Sequence, residues 1–328
     1  MTTATTRIDM PLGHLDPLDS TVVLSPEAFE PGYWIGCASV LHEPARNRFV
    51  MTYRQRRPRG HAGGDRGYRC AVAVSEDGVA FTDVWSVHKT ELASPSMERF
   101  SLIAVDGGYH LYISYVDPAD NRWRIDLLEA AELDGFDVAS RKEVLTAAST
   151  GTEGVKDPYI IRRGPVTYLI ASYAASLSGT DDAGTAHATA DIYNVGATTH
   201  PTGLATSVDG RTFTWHGEVL GVGDGWDCYQ ARINSVVALD GGGYLGFYDG
   251  SASHRENYEE RTGLAVSPDL FTWHRLTPAG PWTVTPHASG SVRYLDAHVI
   301  DGQWWIYFET TRSDGAHELR LARRRVGI

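Results

Sequence analysis

The chain has 328 residues, 42% of them hydrophobic and 21% charged, a composition that lets a globular domain bury a large core. A net charge of −12, from 41 acids against 29 bases, argues against nucleic acid or an acidic membrane surface as partner. No stretch approaches the roughly 18 apolar residues of a membrane span, and three cysteines, Cys37, Cys70 and Cys228, neither pair off completely nor show metal-ligand spacing, so a reduced, cytoplasmic setting is expected.

The N-terminus, MTTATTRIDMPLG, has no basic segment followed by an apolar core, so nothing in it directs export. Residues 1–32 read as a segment that could close a ring, and 33–328 as a single domain built of repeats. Five short apolar or aromatic runs end on an aromatic residue: FVMTY at Tyr53, YHLYISY at Tyr115, YLIASY at Tyr173, YLGFY at Tyr248 and WWIYF at Phe308, at intervals of 62, 58, 75 and 60 residues. A second phrase recurs after three of them, VAVSEDGVAFTDVW (72–85), LATSVDGRTFTWH (204–216) and LAVSPDLFTWH (264–274). Each reads as a strand, a tight turn and a strand, because Asp-Gly and Pro-Asp supply turn chemistry and Val, Thr, Phe and Trp suit a pleated, half-buried surface. Weaker copies stand at LLEAAELDGF (127–136) and ELRLARRRV (318–326).

No segment sustains a 3.6-residue apolar period, and 34 Gly with 15 Pro interrupt the chain too often for long helices. Several strands per repeat are the mark of propeller blades, each of which buries its faces against its neighbours. The expected fold is therefore all-β, a five-bladed β-propeller, with a two-sheet sandwich as the poorer alternative.

In a propeller the first strand of each blade lines the channel and the second returns to the same rim. Three long connections leave that rim: the Arg/Gly loop within 54–69, a loop of nearly 30 residues over 174–203, and DGSASHRENYEERTG at 249–263. Loops of this length in a compact domain are usually functional, so this face is expected to bind. Counting back 16 residues from each aromatic marker gives Cys37, Arg99, Asp157, Arg232 and Val292, and one residue of slack adds Glu98, Lys156 and Arg293. Charges on innermost strands are costly unless paired or wetted by a ligand cavity, so this cluster is either a salt-bridge ring or a site. Trp34, Trp226 and Tyr159 fall beside the expected mouth and could offer aromatic platforms to a sugar.

The opening of the third repeat, Lys156-Asp157-Pro158-Tyr159-Ile160, resembles the Asp-Pro signature of the five-bladed propeller glycosidases, and TPHASGSVRYLDAHVIDGQWWIYFE (285–309) is similar to their last blade. That group includes arabinanases and xylosidases, invertases and levanases, and mannoside phosphorylases. The resemblance implies a small carbohydrate ligand, a pocket at the channel mouth, acids from blades one, three and four, and His287 over the channel holding a water or ion. Asp157 would take the blade-three role of orienting substrate or stabilising positive charge. The chain departs from the pattern twice: Trp34 to Ser39 carries no Asp, and Arg232 stands where blade four would have Glu. Asp227 and Glu98 are the acids nearest those gaps and are candidates for proton donor or base alongside Asp157, with Glu309, Glu153 and Glu43 behind them. Arg99, Lys156, Arg232 and Arg293 could hold an anion, either on the sugar or as phosphate in the manner of the phosphorylases. Neither a phosphate-cradling glycine loop nor Cys/His zinc spacing is present, so no cofactor or metal is expected. The main functional expectation is a glycoside hydrolase, with phosphorylase and non-catalytic sugar binder as alternatives.

Overall fold

The computed structural model describes residues 12–178 and 183–326, so most of the N-terminal stretch read for export, and 179–182 of the longest loop, lie outside the described residues. β1 (Thr21–Leu24) comes first in the chain but last in the ring. Blade one is β2 (Trp34–Glu43), β3 (Arg48–Arg57), β4 (Arg66–Ser75) and β5 (Thr82–His88). Blade two is β6 (Ser101–Val105), β7 (Gly108–Val116), β8 (Trp123–Ala130) and β9 (Lys142–Leu145). Blade three is β10 (Gly154–Arg163), β11 (Val166–Ala174), β12 (Thr202–Ser207) and β13 (Thr214–Leu220). Blade four is β14 (Gln230–Ala238), β15 (Tyr244–Ser251), β16 (Arg261–Ser267) and β17 (His274–Arg275), and blade five is β18 (Val292–Ile300), β19 (Gln303–Thr311) and β20 (His317–Arg325). Every pairing within a blade is antiparallel, and β1 pairs antiparallel with β20 as the fourth strand of blade five, so the two ends of the chain meet in one sheet. Single-residue parallel bridges, Arg261 to Val292 and Trp34 to His317, join blades four, five and one at their edges. Among the described residues no helix is long and apolar enough to cross a membrane.

Five apolar clusters fill the five interfaces between neighbouring blades. Val50 and Val72 meet Leu111 and Leu128 between blades one and two, Leu127 meets Leu169 between two and three, and Ile170 meets Ile233 between three and four. Phe247 packs with Ile306 between four and five, and Met51 with Tyr307 between five and one. This is why the apolar runs recur: a twisted four-stranded sheet has two apolar faces, and only its neighbours in the ring can cover both.

The repeated turn phrase has an equally local cause. Asp77, Asp209 and Asp269 each use Oδ1 to accept two backbone N–H groups two and three residues on, at 2.7–2.9 Å. The preceding Ser75, Ser207 and Ser267 hydroxyls accept the N–H of the following turn residues. Two of the outer-strand tryptophans pack flat over a glycine: a Cβ on Gly203 would lie 2.1 Å from the Trp215 ring, and one on Gly246 2.4 Å from Trp273.

Candidate active site

Each first strand starts at the mouth of the channel and runs inward, and four of the five carry a bulge two to four residues in. The register breaks between Gly36 and Ser39, Lys156 and Tyr159, Ile233 and Ser235, and Arg293 and Asp296. At the bulge Cys37, Asp157 and Tyr294 adopt left-handed backbone, with φ of 60°, 58° and 48°. Non-glycine residues held there cost about 1–3 kcal/mol each, and bulges re-aim side chains, here toward the axis. The second strands return to the same level with Arg54, Asp249 and Glu309, which pair in register with Gly36, Arg232 and Arg293.

The result is a continuous, buried ionic ring. Arg232 donates to Asp157 Oδ2 and to Asp249 Oδ2, both at 2.6 Å, and to the Tyr294 hydroxyl at 3.0 Å. Arg293 bonds Glu260 at 2.7 Å and Glu309 at 2.6 Å, and His317 Nδ1 lies 2.8 Å from Glu309. Arg54 is hydrogen-bonded to Glu98, and Arg56 stands 3.9 Å from the same carboxylate. The Tyr294 hydroxyl lies 3.3 Å from Glu98 and 3.4 Å from Asp157. Facing oxygens of Glu98 and Asp157 and the Cys37 sulfur lie within 4.8 Å of one another.

These surroundings set the protonation states. Burial would push the Asp157 carboxyl up, but Lys156, Arg232 and the Arg99 N–H outweigh it and hold it below the usual carboxylate range. Burial is likewise overcome at Glu260, which Arg293 and Arg232 bring to about 2, and at Glu309, which Arg293 and His317 hold low. Asp249 goes the other way: burial raises it, Arg232 opposes, and the charge of Glu260 adds to the rise. Burial lowers Lys156 despite Asp157, and lifts the Cys37 thiol to about 12, so that thiol is neutral.

Three connections close over the mouth. Asp191, from the β11–β12 loop, accepts from Arg59 of the β3–β4 loop at 2.7 Å and from Tyr258 of the β15–β16 loop, and pairs with Arg66 at 3.4 Å. Asn257 donates to Asn194, tying the same two long loops a second time. A sixth apolar cluster, Val116, Trp123, Ala174, Ala186, Ala190, Ile192 and Tyr193, anchors the longest loop to blades two and three. Lys156 is caught beneath it, 4.1 Å from the Tyr193 ring centre and 5.1 Å from that of Trp123.

No protein-family model and no curated protein matches this sequence. Solved structures do match along nearly its whole length. A glycosyl hydrolase from Bacteroides ovatus aligns over 96% of both chains at 14% identity and a TM-score of 0.64. A family-43 β-xylosidase/α-arabinofuranosidase from a compost microbial metagenome, in complex with xylotriose, aligns over 92% of this chain and 94% of its own at 11% identity and 0.63. A β-1,2-mannobiose phosphorylase from Listeria innocua, bound to β-1,2-mannobiose, aligns over 97% of both at 13% and 0.60. The chain has the fold of the five-bladed propeller glycosidases.

Within this propeller glycosidase fold, Glu98, Arg99, Lys156, Asp157, Arg232 and Arg293 come together at the channel, as does Trp34 at its rim. Arg99 acts below the mouth: its guanidinium crosses the channel to the Asn234 carbonyl, stands 3.7 Å from Asp296 and overlies Tyr159. Tyr159 itself donates to the Val236 carbonyl inside the interface of blades three and four, so it is no platform. Asp227 lies apart from the ring, bonded to Arg275 at 2.6 Å and to the Tyr248 hydroxyl at 3.1 Å on the flank of blade four. Its neighbour Trp226 stacks on Tyr248 and donates to the Thr277 carbonyl. His287 lines a surface groove with Thr285, Thr310 and Arg312 instead of standing over the channel.

The spacing of 16 reaches the bulge in blades one and three, falls two residues ahead of β6 in blade two and stops one residue short of the break in blade four. In blade five it falls on Val292, two residues short of Tyr294, because the β18–β19 hairpin is shorter than β2–β3, which carries a turn of 3₁₀ helix at Pro44–Arg46. Arg54, Asp249 and Tyr294 lie outside the candidates that this spacing picks, and Glu309 stands among the weaker ones. The signal was present: Arg54, Asp249 and Glu309 each directly follow the aromatic marker of their repeat. Asp191, Tyr258 and Glu260 sit in the long loops with no pattern to single them out.

Proposed function

We propose that the chain holds a short glycoside between the ionic ring and the three-loop cover and cleaves its glycosidic bond there. What supports this most is a set of buried polar atoms at the mouth with no hydrogen-bond partner among the described residues: Trp34 Nε1, Arg56 Nη1, Trp123 Nε1, Gln230 Oε1 and Ser251 Oγ. Left unpaired, each costs roughly 1–3 kcal/mol, and a polyhydroxylated ligand brings both donors and acceptors to such a mixed set. Asp157, held as an anion, would stabilise positive charge developing on the sugar ring. Glu98, within 4.8 Å of it, would serve as base or nucleophile. Asp249, the mouth acid whose pKa is raised, is suited to supply the proton to the leaving oxygen.

Cys37 favours a second reading. A neutral thiol stands at the blade-one bulge where the propeller glycosidases are expected to carry an acid, which suits a protein that binds sugar without cleaving it. A panel of aryl glycosides and short oligosaccharides, with turnover and calorimetric binding followed in parallel, separates the two. The hydrolytic reading expects Asp157→Asn to lower turnover by roughly 10²–10⁴-fold with the fold intact. Binding without turnover across the panel would favour the second reading, and an Asp157→Asn enzyme as fast as the parent would remove the residue assignment.

A further inference from the structure

We propose that Arg56 is the anchor for an oxyanion carried by the ligand, which makes the substrate class an anionic glycoside, with a uronide, whose carboxylate is part of the sugar, as the form expected. The inference rests on the function proposed above and adds the charge of the ligand.

Arg56 lies at the mouth end of β3, in register with Trp34. Its side chain is only 5% exposed, and its guanidinium lies 4.7 Å from the Trp34 ring centre and 4.0 Å from that of Tyr258. Two rings strip it of water and fix its plane, yet neither offers a hydrogen-bond acceptor worth the loss. Nη1 has no hydrogen-bond partner among the described residues, and the carboxylate beside it, Glu98, stays at 3.9 Å while bonding Arg54. Arg232 and Arg293, by contrast, hold carboxylates at 2.6–2.7 Å. Burial accordingly lowers the pKa of Arg56. A dry guanidinium with a free N–H matches the geometry of a carboxylate or phosphate, and an incoming anion would neutralise it where a sugar hydroxyl could not.

A second donor stands beside the first. Trp34 Nε1 is buried and also without a partner among the described residues. The Trp34 ring itself stacks on His317 at 4.5 Å and is overlain by Arg56 and Arg293, so what it presents to a ligand is an N–H and not a sugar platform. Two unpaired donors at adjacent positions of one strand pair form a receptor for an acceptor-only group.

A free phosphate would satisfy the same donors, so the test separates the two sources. Full-length protein is assayed with aryl glycosides of glucuronic and galacturonic acid against those of glucose and galactose, each with and without inorganic phosphate, and binding of the free sugars and of phosphate is measured by calorimetry. A charged hydrogen bond corresponds to roughly 10–150-fold in kcat/KM, so the uronides should lead by that factor, and Arg56→Gln should bring the ratio near one, with Arg56→Lys between. If phosphate instead unlocks neutral sugars, and Arg56→Gln abolishes that dependence, the anion is the free co-substrate and the site stands. Neutral sugars handled as well as uronides, with no effect of phosphate, would overturn the anion site while leaving the glycoside reading intact. Binding of neither sugars nor phosphate would overturn both. Should Arg56→Gln fail to fold, Trp34→Phe removes only the indole N–H and should reduce the same ratio by a smaller factor, whereas an unchanged ratio would count against the site.

Discussion

The two ends of the propeller use the same residue types for opposite purposes. At the blade turns Asp77, Asp209 and Asp269 stand in solvent and bond to backbone N–H groups and the serine hydroxyl of their own turn. At the mouth Asp157, Asp249 and Glu309 are fully buried and bond to side chains from other strands and other blades. A turn carboxylate needs nothing beyond three or four neighbouring residues, so its phrase can be copied from blade to blade. A mouth carboxylate needs a cation delivered from another strand, so each blade contributes a different member and the pattern never repeats. Repetition marks the scaffold, and departure from repetition marks the site.

The strongest way to break that contrast is to remove a shared cation. Arg232→Met deletes the cation shared by Asp157 and Asp249 and the donor to the Tyr294 hydroxyl, leaving Asp157 to Lys156 and the Arg99 N–H and Asp249 to the Tyr294 N–H. Removing one member of a buried ionic set costs about 3–5 kcal/mol, to be read from urea midpoints at fixed slope. The deficit should shrink in acid. Without Arg232 the Asp249 carboxyl, which burial already raises, rises further, and a raised group stabilises the fold below its unfolded value and loses that contribution as pH climbs. A deficit that does not change between pH 4 and pH 8 would mean this carboxyl is not the one left exposed to the low dielectric.

How much of this was legible in the sequence follows the same division. Five blades, their order and the face carrying the long loops could be read because the apolar runs and turn phrases recur, and recurrence needs only local chemistry. The candidate site was legible where a charge fell on or just ahead of a first strand, as with Lys156, Asp157 and Arg232 on theirs and Glu98 three residues before β6. It was illegible where hairpin length shifted the frame, as at Tyr294, or where a loop folds back, as at Asp191, since no local pattern reports a loop's landing point. Asp227 sits beside the mouth in sequence, but its side chain leans to the flank and meets Arg275 on the outer strand, a choice that depends on tertiary packing alone.

Cutting the cover should cost less and act locally. Asp191→Ala removes the acceptor of Arg59 and Tyr258 and the partner of Arg66, worth about 1.5–3 kcal/mol as a hydrogen-bonded charge, part of which Arg59 recovers in water. Amide exchange should quicken over 58–65 and 183–197 while the blade cores keep their protection, because the five interblade clusters do not involve Asp191. Uniform quickening through every blade would instead make the cover part of the scaffold. In the blades themselves, Gly203→Ala drives a methyl to 2.1 Å from the Trp215 ring and should cost about 1–3 kcal/mol in thermal or urea unfolding. The same substitution at Gly164, where no atom lies within 4 Å but φ is +57°, isolates backbone strain from overpacking.

The smallest effect belongs to the turn carboxylates, and it tests the comparison from the scaffold side. Asp209→Ala removes an acceptor for the N–H groups of Arg211 and Thr212, in a turn where water can replace it, so about 0.5–1.5 kcal/mol is expected. The Thr212 and Arg211 N–H groups lower the Asp209 pKa to about 2. A depressed pKa stabilises the fold above the unfolded value near 4 and loses that contribution as pH falls toward 2, so the advantage of the parent over the variant should be full at pH 5 and fade below pH 4. Both deficits therefore shrink in acid, that of Arg232→Met through the raised Asp249 carboxyl above the unfolded value and that of Asp209→Ala only below it. Two carboxylate sets in one molecule that answer acid in separate pH windows would show that surroundings, not residue type, divide scaffold from site; a shared window would dissolve the distinction.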